Sequence, residues 1–270
     1  MSAAAPIPLF DRGRGAPVVV VPPLPGRWPW IAPALQCLTA HCRVVSYSLC
    51  GEPDSGRPAP SRFDDLTEQL AAVVRQAGLT RAVICGISLG GLIALRFAAT
   101  HPAMTAGLVL ASTPGPRFEL DTAQRRLVRN PVVLSPVFAL TWQRRLGAEL
   151  RHALPDAAER VGFALGQLRV LLHAWPSPTR MASRVELALG ADRLHDCARV
   201  VSPALVVTGA PSLDRIVPVA SSREYEGAIA GARVVELADT GHLGVVTRPE
   251  AWAAIVARFT NESILGREVA

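Results

Sequence analysis

Lysine is absent from this chain of 270 residues, and its 28 basic residues other than histidine are all arginines. A nucleotide-binding P-loop uses a lysine to reach the phosphates, so the missing residue type excludes that motif. The glycine-rich stretch from Gly86 to Gly91 therefore needs another explanation.

Long apolar runs are also missing, although half of the residues are hydrophobic and the mean hydropathy is +0.27. No run approaches the roughly 18 residues that a membrane span requires. The N-terminal stretch Met1–Pro6 has no basic start followed by an apolar segment, which argues against a signal peptide. We expect a cytoplasmic protein that buries a large core, in one domain or in a domain with an insert.

Closely spaced cysteine pairs of the C-x-x-C type are lacking among Cys37, Cys42, Cys50, Cys85 and Cys197. An odd number of unpaired, mostly buried thiols is typical of a reducing compartment. A disulfide between Cys37 and Cys42 is the less favoured alternative. The histidines and cysteines do not have metal-ligand spacing, so we expect neither a metal nor a cofactor.

The formal net charge of +6 is concentrated in the middle of the chain. Residues 115–199 carry 13 arginines against 8 acidic residues, a net of +5, and the remainder carries 15 against 14, a net of +1. Nucleic-acid binding requires clustered basic stripes with aromatic or polar readers, whereas these arginines are spaced among leucines and alanines. We therefore expect a solvated helical surface and no nucleic-acid partner, with a preference for anionic substrates as the minority alternative.

Strand-like and helix-like patterns alternate along both ends of the chain, which predicts an α/β fold with a mostly parallel sheet flanked by helices. The predicted strands are 7–10, 18–21, 43–48, 82–85, 107–111, 204–207 and 233–237. The predicted helices are 28–39, 65–76, 89–101, 219–230 and 250–259. Ser61 or Asp64 is the expected N-cap of the second helix, and a frayed tail is expected from Asn261.

Between Pro114 and Arg199 only helical patterns occur, interrupted by prolines. This break in the alternation predicts a helical insertion. We divide the chain into a core of residues 1–113 and 200–270 and an inserted cap of residues 114–199.

The segment Gly86-Ile87-Ser88-Leu89-Gly90 fits G-x-S-x-G between an apolar run and a long apolar helix. A serine at the tip of so sharp a turn is strained, and residues two positions away must lack side chains for strand and helix to approach. In that local setting we interpret Ser88 as a candidate nucleophile; a simple turn serine is the alternative.

Serine needs an adjacent base that is itself oriented by a carboxylate. In a strand-to-helix elbow protein the expected order is serine, acid, histidine. Asp214 and His242 each follow a predicted strand, where catalytic groups of a parallel sheet lie, and they occur in that order. Asp239 is the alternative acid, but it precedes His242 by only three residues.

Over nearly its whole length the chain resembles an α/β-hydrolase-fold protein with an inserted cap. The segments that carry the resemblance are Val18–Gly26, Ser48–Ser55, Gly86–Gly91, Asp214–Pro218 and Thr240–His242. The resemblance implies that Ser88 is the nucleophile, His242 the general base and then acid, and Asp214 the orienting acid. It also implies that the N–H groups of Leu24 and Leu89 form the oxyanion hole.

Two segments depart from that family pattern. Pro22-Pro23 stands where His-Gly is usual, and Ser48 and Glu52 stand where Asp and His are usual. Prolines have no N–H to donate, but Leu24 keeps its own.

The remaining histidines have no partner motif, and we interpret them as structural or surface residues: His41, His101, His152, His173 and His195. Four tryptophans are expected to line an apolar pocket or to pack in the core: Trp28, Trp30, Trp142 and Trp175.

The resulting expectation is a cofactor-independent serine hydrolase that acts on a small, mostly apolar ester, lactone or thioester through an acyl-enzyme. A carbon–carbon bond hydrolase on the same triad and a non-hydrolytic binding protein of the same fold are the alternatives. A homodimer is left open.

Overall fold

A computed structural model describes residues 5–265; along residues 135–145 and at residue 265 it describes the backbone alone. Residues 1–4, part of the stretch considered for a signal peptide, and residues 266–270 of the predicted frayed tail lie outside the described residues. Within the described range, no helix combines the length and the apolar character needed to cross a membrane.

A seven-stranded sheet lies at the centre, in the order β1-β3-β2-β4-β5-β6-β7. The strands are β1 Leu9–Arg12, β2 Pro17–Val21, β3 Arg43–Tyr47, β4 Ala82–Ile87, β5 Thr105–Ala111, β6 Ala204–Thr208 and β7 Arg233–Glu236. The edge strand β1 runs antiparallel to β3, and the other neighbouring pairs are parallel. The predicted mostly parallel α/β sheet is confirmed.

Eleven α-helices are defined within the described residues. They are α1 Ala32–Thr39, α2 Phe63–Gln76, α3 Leu89–Thr100, α4 Thr122–Arg129, α5 Pro131–Ala153, α6 Ala157–His173, α7 Pro178–Leu189, α8 Arg193–Arg199, α9 Val219–Ala228, α10 Gly244–Thr247 and α11 Pro249–Leu265. The helices α4 to α8 all lie between β5 and β6, where the sequence lacks strand patterns. We call residues 114–199 the inserted segment.

Both faces of the sheet are buried, which explains the continuous apolar runs of the strands. Because side chains alternate along a strand, Val19 and Val21 of β2 enter one core and Val18 and Val20 the other. Helices α2, α3, α8 and α9 cover the first face, and α1 and α11 cover the second. The carboxyl ends of the parallel strands thus meet at one edge, between the two helical layers.

Three local predictions were wrong. The N-cap of α2 is Arg62 and not Ser61 or Asp64; the Asp65 carboxylate accepts the N–H groups of Ser61 and Arg62, which lowers its pKa. The predicted helix 28–39 is split into a 3-10 turn, Trp28–Ile31, and α1, each with a proline in its first two positions.

The chain end also differs from prediction, since α11 continues beyond Asn261 to Leu265. Its last turns pack on β5, where Phe259 and Ser263 lie close above Gly107. A side chain at Gly107 would meet both of them. The contact buries Phe259 and Ser263, so the C-terminal turns are packed against the sheet.

All five cysteines are free thiols, as predicted, and Cys37 and Cys42 are not bridged. Burial raises the pKa of the Cys42 thiol to about 11 and that of Cys197 to about 12. These thiols are therefore protonated and poorly nucleophilic at neutral pH.

Candidate active site

Ser88 occupies the junction between β4 and α3 with φ 52° and ψ −119°, a left-handed conformation that is uncommon for a residue with a side chain. Its N–H donates to Ala111 O at 2.8 Å, and its carbonyl accepts the N–H of Gly91 at 2.9 Å. A Cβ at Gly86 would collide with the Gly90 carbonyl, and one at Gly90 with the carbonyls of Val21 and Pro22. The turn predicted from G-x-S-x-G is present, and its flanking glycines are sterically required.

Three side chains from distant parts of the chain meet beside this turn. His242 Nε2 lies 3.2 Å from Ser88 Oγ, and His242 Nδ1 lies 3.2 Å from Asp214 Oδ2. All three residues follow parallel strands at the same sheet edge, namely β4, β6 and β7. The hydroxyl, the imidazole and the carboxylate are therefore hydrogen-bonded in series.

The Asp214 carboxylate is itself held by the backbone. Its Oδ1 accepts the N–H groups of Ile216 and Val217, each at 2.9 Å, which leaves Oδ2 facing the imidazole. The side chains of Asp214 and His242 are 2% and 10% exposed, so little water competes for this contact. Asp239, the alternative acid, is an exposed turn residue with φ 58°.

The two expected oxyanion donors follow the neighbouring strands β2 and β4. Val21 of β2 pairs with Gly86 of β4, and Leu24 and Leu89 each lie three residues beyond that pair. Leu89 is the first residue of α3, so its N–H has no intrahelical acceptor and lies at the positive end of the helix. Leu24 therefore lies in the loop after β2, and Leu89 lies at the start of α3, next to Ser88.

These features agree with the comparisons to known proteins. The family model described as "Alpha/beta hydrolase family" matches residues 18–255. The chain belongs to that family. The resemblance inferred from the sequence is thereby confirmed.

Relatives of this alpha/beta hydrolase differ in the chemistry that their names give. The crystal structure of the enol-lactonase from Burkholderia xenovorans LB400 has a TM-score of 0.78 and 25% identity, covering 95% of this chain and 96% of that one. A Klebsiella pneumoniae protein named "Putative carbamate hydrolase RutD" is 28% identical, covering 90% of each chain. A Mycobacterium tuberculosis protein named "Putative non-heme bromoperoxidase BpoC" is 26% identical over 92% of this chain and 95% of that one. The family match, together with the relatives named as a carbamate hydrolase and an enol-lactonase, shows that this chain is a hydrolase.

The loop Pro22–Gly26 of this hydrolase, which departs from the family pattern, is fixed by backbone hydrogen bonds. Gly26 N–H donates to Pro23 O at 2.8 Å, and Leu49 N–H donates to Gly26 O at 2.7 Å. The Leu24 carbonyl accepts a bond from Arg184 of α7 at 3.3 Å. The loop is therefore anchored on both sides of Leu24 without the usual His-Gly pair.

Arg184 is an exception to the expectation that the arginines of residues 114–199 form a solvated surface, because it is 1% exposed whereas most of the other described arginines there are exposed. Its Nη2 lies 2.6 Å from Oε1 of the buried Glu52 and donates to Cys50 O at 3.2 Å, while Arg180 Nε lies 3.1 Å from the same Glu52 oxygen. Burial lowers the pKa of Arg184, and the hydrogen bond and charge of Glu52 oppose that effect. Sequence reasoning noticed Glu52 as a departure but did not find its partner.

Ser48, the second departure, is part of a neighbouring polar group. Its Oγ donates to Asp54 Oδ2 at 2.9 Å, and Asp54 pairs through Oδ1 with Arg27 at 2.9 Å. Glu52 and Ser48, the two unusual residues of this segment, therefore contact neighbouring segments, Glu52 by ion pairs and Ser48 by a hydrogen bond.

Glu149 of α5 was missed by the sequence reasoning. It is fully buried, and its Oε1 accepts the N–H groups of Gly241 at 2.8 Å and Leu243 at 2.7 Å, on either side of His242. Burial raises its pKa to about 7, against the two N–H donors and the charge of His242, which lower it. Its signal in the sequence is its position on an otherwise apolar helix face, with Leu146 three residues before and Ala153 four after, both buried.

The four tryptophans considered in the sequence differ in their surroundings. Trp28 lies against Phe10 with ring centroids 5.2 Å apart, Trp30 Nε1 donates to Ala174 O at 3.0 Å, and Trp175 is exposed. Trp142 lies in the part of α5 of which only the backbone is described. His101 stacks on Phe97 at 4.6 Å, in agreement with a structural role.

A cavity of about 420 Å³ lies behind Asp214, between residues 118–124 and 211–220. Neither Ser88 nor His242 lines it. We therefore assign no substrate group to this cavity.

Proposed function

We propose that this protein is a cofactor-independent serine hydrolase that cleaves a small ester, lactone or thioester through an acyl-enzyme. The observation that carries the proposal is the continuous line Ser88 Oγ–His242 Nε2–Asp214, with 3.2 Å at each step. Such a line allows a hydroxyl to lose its proton as it attacks, which serine does not do unaided at neutral pH.

In the proposed reaction Ser88 Oγ attacks the carbonyl carbon while His242 Nε2 takes its proton. Asp214 holds the imidazole with its Nδ1–H directed to the carboxylate and stabilises the imidazolium. The negative charge that develops on the substrate oxygen is held by the N–H group of Leu24, in the loop after β2, and by that of Leu89, at the N-terminus of α3. His242 then protonates the leaving group, which leaves an acyl group on Ser88. A water molecule, deprotonated by His242, next attacks this acyl-enzyme and releases the acid and free Ser88.

The inserted segment, residues 114–199, is proposed to act as the cap over this site. Its helices α5 and α7 reach the loops that carry His242 and Leu24 through Glu149 and Arg184. The similar structure from Burkholderia xenovorans is named as an enol-lactonase, and this name supports small acyl compounds as the substrate class. The five free thiols support a reducing compartment, so a cytoplasmic location is part of the proposal.

Labelling with a fluorophosphonate tests the proposal directly. The wild-type protein is expected to label, Ser88→Ala is expected not to, and short acyl esters and lactones are expected to be hydrolysed only by the wild type. If the wild type neither labels nor turns over any member of a chain-length panel, the protein is not a serine hydrolase. Retention of an unhydrolysed acyl ligand would then favour the binding-protein alternative.

A further inference from the structure

One buried carboxylate joins the inserted segment to the loop that carries His242. Glu149 lies on the inner face of α5, yet its partners, Gly241 and Leu243, are 92 and 94 residues later in the chain. A single oxygen atom, Oε1, accepts both N–H groups. Since the two donors flank His242, the carboxylate fixes the backbone from which the imidazole extends.

The loop is built to receive this carboxylate. A Cβ at Gly241 would lie 2.8 Å from Glu149 Oε2 and 2.7 Å from the Leu213 carbonyl, so only glycine leaves room for the approach. On its other side the loop is tied down by Thr240, whose carbonyl accepts Ala210 N–H at 2.8 Å and whose hydroxyl donates to Leu237 O at 2.7 Å. The Glu149 contact completes the support of a short turn.

We propose that Glu149 is a positioning residue that sets His242 against Ser88, so that the triad has its reactive geometry only when α5 is seated on the core. This proposal rests on the proposed serine hydrolase function. A misplacement of about 1 Å between reacting groups is enough to cost about a hundred-fold in rate. Loss of the two hydrogen bonds would also leave the buried N–H of Gly241 and the partly buried N–H of Leu243 without their acceptor.

Glu149 also faces the charged groups of the site. His242 and Asp214 both act on its ionisation, the first favouring the charged form and the second opposing it, whereas Arg151 and His152 on the same helix are exposed. When ionised, Glu149 adds a negative charge beside the imidazolium that forms during Ser88 attack. A purely structural contact would have no such dependence on protonation.

The test uses the whole protein with Glu149→Gln, Glu149→Ala and the control Leu146→Ala, which removes packing from the same helix face. Rates of fluorophosphonate labelling and of p-nitrophenyl acetate hydrolysis are measured from pH 5.5 to pH 9, with thermal unfolding of each variant. Glutamine keeps an oxygen for both N–H groups, so its rate is expected to match the wild type near pH 5.5, where Glu149 is protonated. Above pH 8 the wild type is expected to be faster by about three- to ten-fold.

For Glu149→Ala we expect kcat to fall by about a hundred-fold while KM changes little. Leu146→Ala is expected to lower the unfolding temperature without lowering kcat in this way. A wild-type to Glu149→Gln ratio that is constant with pH, or a kcat loss in Glu149→Ala no larger than in Leu146→Ala, would overturn the proposal. If Glu149→Ala does not fold, the pH dependence of Glu149→Gln decides.

The two proposals fail in different ways. Absence of labelling at Ser88 in the wild type removes the serine hydrolase itself. Normal labelling of the wild type together with unchanged rates in the Glu149 variants removes only the positioning role.

Discussion

Arg184 donates a hydrogen bond to the carbonyl of Leu24, a residue 160 positions earlier in the chain. The guanidinium is 1% exposed and forms an ion pair with Glu52, whose side chain is fully buried. Leu24 carries one of the two N–H groups proposed to hold the oxyanion. The inserted segment therefore contacts the loop that carries Leu24 through Arg184 and the loop that carries His242 through Glu149.

Removal of Arg184 should lower both stability and turnover. Breaking one partner of a buried ion pair costs about 3–5 kcal/mol, because the remaining charge is left in an apolar environment. We expect Arg184→Met to lower the free energy of unfolding, measured in urea titrations. The loss should be somewhat smaller than this figure, because Glu52 keeps its ion pair with Arg180. The kcat should also fall, since Leu24 loses its support.

The double variant Arg184→Met with Glu52→Gln separates these effects. It removes the orphaned charge, so stability should recover in part while kcat stays low. If kcat follows stability back towards the wild-type value, Arg184 acts on folding alone and not on the oxyanion loop.

Asp214→Asn should abolish activity while the loop keeps its shape. The asparagine oxygen can still accept the N–H groups of Ile216 and Val217, but its amide would then donate to His242 Nδ1 and favour the wrong tautomer. We expect kcat to fall by about 10⁴-fold. Asp239→Asn is the matched control, because asparagine tolerates its left-handed conformation, and its kcat should equal that of the wild type.

Ser88 should be a site where function and stability oppose each other. Its φ of 52° is strained for any residue with a Cβ, at a cost of about 1–3 kcal/mol. Ser88→Gly and Ser88→Ala should both lose labelling, but the glycine variant should unfold at a temperature about 2–4 °C higher than the alanine variant. A glycine variant that is less stable than the alanine variant would show that the turn carries no strain.

Glu149 should make stability fall as the pH rises. Its pKa is raised from 4.5 to about 7 in the folded protein, so the folded state binds more protons than the unfolded state between these values. Its contribution is complete below about pH 4.5 and is lost as the pH passes about 7, a change of about 3 kcal/mol.

Urea unfolding of the wild type and of Glu149→Gln at pH 4.5, 6 and 8 measures this difference, because the glutamine does not titrate. The stability of the wild type relative to the variant should decrease over that range. A constant difference would mean that Glu149 titrates at its ordinary pKa.

The elements that the sequence alone determined are those governed by local sterics and burial. The strands of the sheet centre are continuous apolar runs, and the G-x-S-x-G turn is specified by where a side chain fits, so both could be predicted with only small errors at their ends. Ser88, Asp214 and His242 could be chosen because each follows a predicted strand and they occur in the expected order. Their roles in catalysis remain proposals.

Only the tertiary structure decided which charged residues are buried. No local pattern identifies the partners of Glu149 and Arg184, because Gly241 and Leu24 are 92 and 160 positions away in the chain. Likewise, the local sequence ends α11 too early, since it does not show that the last turns pack against Gly107 of β5. A charged side chain can be buried only where a backbone group or an opposite charge forms a hydrogen bond or an ion pair with it. For Glu149 and Arg184 those partners come from distant parts of the chain, brought near by the packing of the inserted segment on the core.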